Sequence, residues 1–82
     1  MTPEELARLR GHIADLELAP PYQDAPPRLF EGVQVLGVQP GALLLNGGRM
    51  RWAGQDPATA ESVIFEQVDI SQIARVRCDE PG

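Results

Sequence analysis

Apolar positions along the chain fall into two rhythms. At the C-terminal end, Val63, Ile64, Phe65 and Val68 form a strand-like run. A polar turn follows at Asp69-Ile70-Ser71-Gln72, and Ile73, Val76 and Cys78 then mix with Arg75 and Arg77 at near-alternate positions. Such alternation marks a half-buried strand with one side in water. At the N-terminal end, Leu6, Leu9, Ile13 and Leu16 recur at spacings of three, four and three, which predicts an amphipathic helix over residues 3–17. Thr2 can cap it, Pro3 occupies the first helical position, and Glu5 completes a capping box. Gly11 costs this helix about 1 kcal/mol relative to Ala, and Pro20-Pro21 ends it. The stripe is expected to pack on the rest of the chain; pairing with a second copy is the other use for it.

Between these ends lies a Pro-rich linker, residues 19–28, where proline forbids ladder bonds. Leu29 to Val38 reads as a strand whose apolar phase switches near Gly37: Val33 and Val35 share one face, Leu36 and Val38 the other. A bulge or sharp bend is expected there. Pro40-Gly41 signals a turn, Ala42 to Leu45 an apolar strand, and Asn46-Gly47 a hairpin. Arg49 to Trp52 reads as a strand with Met50 and Trp52 opposite Arg49 and Arg51, and residues 55–61 as a polar loop. The expected core is Leu6, Leu9, Ile13, Leu16, Phe30, Val33, Val35, Leu43, Leu45, Met50, Trp52, Ile64, Val68, Ile70, Ile73 and Val76.

These elements make an α+β fold, with the N-terminal helix packed on a small antiparallel barrel of four or five strands. Eighty-two residues hold one domain, divided into helix (1–18), linker (19–28) and barrel (29–78). Seven basic residues, all arginine, face twelve acidic ones, a net charge of −5. That balance opposes non-specific binding to phosphate backbones, which needs clustered cations; it reads first as a solubility charge, and otherwise as an acidic face that meets a basic partner or mimics nucleic acid. Cys78 is the single cysteine, so no internal disulfide or thiolate cage forms. The charged N-terminus lacks an apolar signal core and no run is long enough to cross a bilayer, so a cytoplasmic protein without membrane contact is expected.

Catalytic chemistry has little material. His12 is the only histidine, and HExxH, CxxC, GxSxG and phosphate-cradling loops are missing. No enzyme activity, cofactor or metal is expected. One constellation stands out: Arg49 and Arg51, and again Arg75 and Arg77, are two apart, so each pair projects on one side of its strand. With Trp52 beside them, these four are the candidate binding residues, for an anion, an acidic protein or nucleic acid. The competing reading has Glu31, Glu66 and Asp69 neutralise them as cross-strand pairs.

The layout from Leu29 to Cys78, with a bent strand, a turn, a long loop and the closing VDISQIARVR, resembles the SH3-like and Sm-like small barrels. The resemblance implies that an N-terminal helix caps an open barrel and that a 3-10 turn joins the last two strands. Similar endings occur in Sm-like RNA chaperones, Rof-type Rho-binding antiterminators and WYL-type ligand-sensing domains. The chain departs from RNA-binding Sm proteins, which carry an Asp…Asn pair and a basic element near the last turn; here Gln39-Pro40-Gly41 and Asp69-Ile70-Ser71 stand nearest. Arg51-Trp52 echoes the WYL motif without its Tyr-Leu. Acidity and length are closest to the Rof type, which acts by binding another protein. The expectation is therefore a non-enzymatic regulatory or protein-interaction module whose partner is another protein or a second copy. An Sm-like barrel binding RNA or an anion through its arginines is the alternative.

Overall fold

The computed structural model describes residues 2–78. Its first element is a helix, α1 (Pro3–Ala7), with the capping box formed: the Glu5 amide donates to the Thr2 hydroxyl and the Thr2 amide to the Glu5 carboxylate, each at 3.2 Å. The helix then stops, ten residues short of the expectation. Gly11 adopts φ +85° and donates its amide to the Val35 carbonyl at 2.7 Å, while the Val35 amide donates to His12 at 3.0 Å. Residues beyond it form a strand, β1 (Ile13–Leu18), in which Ala14, Leu16 and Leu18 are buried and Ile13 is 52% exposed. The amphipathic helix over 3–17 is thus corrected to one helical turn and a strand. Leu16 belongs to both rhythms. The period-two arrangement wins because β1 is laddered on both sides and buries two leucines, worth roughly 1.5–3 kcal/mol each, whereas a helix would carry Gly11 in its interior.

Strand β2 (Arg28–Gln39) is the spine. It pairs with β1 along one edge, with a register slip at Glu31-Gly32, and on the other edge slips again between Val35 and Gly37, leaving Leu36 as the extra residue. The bend expected near Gly37 is therefore a bulge. Pro40-Gly41 turns the chain into β3 (Ala42–Asn46), which pairs with the C-terminal half of β2, and β4 (Arg49–Trp52) pairs with its N-terminal half. The Asn46-Gly47 hairpin is not formed: β3 and β4 are not partners but successive parts of one line beside β2, joined through Gly47-Gly48.

The next stretch repeats this arrangement one place further out. After a 3-10 turn at Pro57–Thr59 capped by Asp56, β5 (Glu61–Ser62) pairs with β4 and β6 (Glu66–Asp69) with β3. A second 3-10 turn, Ile70–Gln72, leads to β7 (Ile73–Cys78), which lies beside β1. The 3-10 turn expected between the last two strands is present.

The barrel is not. The seven strands form one antiparallel sheet in the order β5-β4-β2-β1-β7, with β3 and β6 on the far half of β2. Strands β6 and β7 adjoin in sequence but ladder to different neighbours, β3 and β1, so the sheet stays open between them. The fold is a bent, unclosed sheet with one helical turn, in place of a helix on a closed barrel. Its concave side holds the core: Leu6, Leu16, Leu18, Phe30, Val33, Val35, Leu43, Leu45, Val63 and Val68 are buried, with no buried polar residue among those described. Leu9, Met50, Ile70, Ile73 and Val76 pack partly buried against it. Ile13, Trp52 and Ile64 fall outside it, at 52%, 37% and 76% exposure. No helix is long and apolar enough to cross a membrane among the described residues.

Candidate interaction surfaces

The antiparallel ladder places the four candidate arginines on one face, because directly paired residues project to the same side. One row across the sheet reads Arg75, Glu17, Leu29, Arg51; beside it, Arg77 is paired with Asp15 and Glu31 with Arg49. The arginines therefore stand in two columns, on β7 and β4, three strand spacings or about 14 Å apart. Between them run Asp15 and Glu17 on β1 and Glu31 on β2. A shallow cleft of about 200 Å³ lies over Asp15, Glu17, Glu31, Arg75 and Arg77.

Contacts tie much of this charge together. Arg51 Nε donates to Glu31 Oε1 at 2.9 Å and its terminal nitrogen to the Gln55 carbonyl at 3.3 Å. Arg49 reaches the Ala60 carbonyl at 3.5 Å. Asp15 accepts the Gly32 amide at 2.8 Å. Four cations interleaved with three carboxylates do not make the continuous basic stripe that releases counterions from a phosphate backbone. The expected neutralising carboxylates divide as follows: Glu31 takes an arginine of this face, Glu66 lies 3.6 Å from Arg28 instead, and Asp69 caps the second 3-10 turn. Asp15 and Glu17 join the face because their segment is a strand.

Trp52 lies on the opposite side of the sheet. Its register partner is Arg28, whose guanidinium carbon stands 5.7 Å from the Trp52 ring and 5.1 Å from that of Phe30, within cation–π range. The Arg28 Nε is buried without a hydrogen-bond partner. Sequence reasoning passed over Arg28, two residues before Phe30, because it stands at the end of the proline-rich segment read as a linker.

The residues that sequence reasoning missed are Ile64 and Phe65, both read as part of a strand and Ile64 as core. They are 76% and 74% exposed, and Phe65 has φ +48°. Its amide donates to the Asn46 side-chain oxygen at 3.1 Å. A positive φ on a bulky L-residue is strained, and here one side-chain hydrogen bond fixes it where the outermost line of strand is interrupted between β5 and β6.

Other candidate chemistry is dispersed. Asp56 is engaged as a cap, accepting the Ala58 amide at 2.9 Å. The free Cys78 thiol is half-buried, 3.5 Å from the Ile13 carbonyl. No group of three His, Cys, Asp or Glu side chains could hold a metal ion among the described residues. Compared with known proteins, the chain matches no family model, no curated sequence and no solved structure.

Proposed function

We propose that the protein is a non-enzymatic interaction module that docks another protein through Ile64 and Phe65. The observation that carries this reading is Phe65: a large aromatic side chain left in water, on a backbone conformation that costs about 1–2 kcal/mol. Burying two such side chains against a partner stabilises a complex by more than that strain costs, and aromatic residues dominate the energetics of protein interfaces. The interleaved signs on the arginine face favour this reading over nucleic-acid binding.

The test replaces Phe65 with a photo-crosslinking phenylalanine analogue in cells, with the same analogue at exposed Glu4 as control. A discrete protein adduct at position 65 that is missing at position 4 is expected. Crosslinks to RNA, or the same adducts at both positions, would overturn the proposal.

A further inference from the structure

We infer that the partner contributes a basic, extended peptide that adds as a strand to the free edge of β6. This rests on the docking reading above and names what docks. Strand β6 is bonded only to β3, so its other edge lies where the sheet fails to close. An unpaired strand edge is a template for another chain. Beside it is a cleft of about 170 Å³, with Gln67 and Asp69 of β6 on one wall, Leu18 and Pro21 on the other, and Arg28 and Gln72 also lining it. That volume is below the roughly 300–1,000 Å³ of small-molecule sites. It suits a single inserted side chain.

Charge selects the occupant. Residues 61–69, which make the whole outer line, contain Glu61, Glu66 and Asp69 and no lysine or arginine. Arg28 in the cleft already faces Glu66 at 3.6 Å, which leaves Asp69 and Glu61 to meet incoming cations. The same carboxylates repel acidic chains and a second copy of this edge, so selectivity comes from repulsion as well as attraction. Ile64 and Phe65 lie directly before β6, so one extended segment spans the exposed apolar pair and the free edge.

The experiment is an amide NMR titration with an acetylated, amidated octapeptide of alternating Lys and Val. Two further arms use the Glu-Val counterpart and the Lys-Val peptide N-methylated at alternate backbone nitrogens. Saturable shifts at Gln67, Val68 and Asp69 with the Lys-Val peptide are expected, with none from Glu-Val and severalfold weaker binding after N-methylation. The Glu61→Gln/Asp69→Asn protein, in which the Asn side-chain oxygen still accepts from Ser71 and Glu66 stays with Arg28, should bind severalfold more weakly. No shift along β6, equal binding of the N-methylated peptide, or equal affinity of the double variant would overturn strand addition by a basic peptide. If a discrete adduct forms at position 65 while the β6 amides ignore the peptides, strand addition alone fails. If no such adduct forms, the docking reading itself fails.

Discussion

The Gly32 amide donates to the Asp15 carboxylate at 2.8 Å, across the register slip between β1 and β2. A bulge leaves a residue out of the ladder, and here a side chain from the neighbouring strand receives the amide that the slip would orphan. Asp15→Ala should therefore destabilise the fold by about 1–2 kcal/mol, the cost of an unmade bond at a partly exposed site. Asp15→Asn, which keeps the acceptor, should lose less. Urea midpoints of the two variants check this; equal losses would mean that the carboxylate acts through its charge.

Gly48 meets the same bulge from the other side. A Cβ at position 48 would lie 2.5 Å from the carbonyl oxygens of Glu31 and Gly32, with φ at +73°. Backbone atoms cannot yield as a flexible side chain can. Gly48→Ala should cost well over the roughly 1–2 kcal/mol of a left-handed alanine, about 3 kcal/mol or more. Gly54→Ala, at φ +86° with open space around it, isolates the conformational part and should cost only about 1 kcal/mol. Thermal unfolding of the pair reads the difference directly.

These contacts explain which parts of the fold were legible in the sequence. The capping box at Thr2 and Glu5, the Pro40-Gly41 turn and the bulge beside Gly37 are written in adjacent residues, and all three are present. The β1 segment was not legible, because Leu16 fits both the spacing with Leu9 and Ile13 and the alternation with Ala14 and Leu18. Only pairing with β2 and β7, distant in sequence, chooses between them. Asn46-Gly47 misled for the same reason: the dipeptide supplies a positive φ, and tertiary pairing used that to continue a line of strand past the bulge. At the candidate surfaces, the arginine spacing was readable. The acidic columns between the arginines depended on β1, and the outward turn of Phe65 depended on Asn46, nineteen residues away.

Acid sensitivity should be felt at the second 3-10 turn, as at the capping box, where the hydrogen bonds with Thr2 likewise lower the pKa of the Glu5 carboxylate. The Ser71 hydroxyl and amide both donate to Asp69, at 2.8 and 2.9 Å, the hydroxyl acting more strongly, and hold its pKa below the usual aspartate value. With the folded pKa depressed, the stabilisation is fully present above the unfolded value of roughly 3.9 and is lost as pH falls through the folded value. Ser71→Ala removes the stronger cause, so its Tm should fall less than that of the wild type between about pH 5 and about pH 2. Parallel acid limbs for the two proteins would show that the Ser71 hydroxyl adds nothing to the depression at Asp69, because the Ser71 amide is kept in the variant.

Phe65 offers the sharpest separation of stability from function. At 74% exposure its side chain contributes little burial, while φ +48° is a conformation that glycine adopts without a Cβ penalty. Phe65→Gly should relieve about 1–2 kcal/mol of strain and give back up to about 1 kcal/mol through a freer unfolded chain. The net is a gain of several tenths of a kcal/mol or more. A higher urea midpoint with unchanged m-value, together with lost association with the crosslinked partner, is the expected result. Strain retained at an exposed aromatic is then kept for what the side chain contacts. A lower midpoint would show that Phe65 packs within its own chain, and the reason for reading it as a docking residue would disappear.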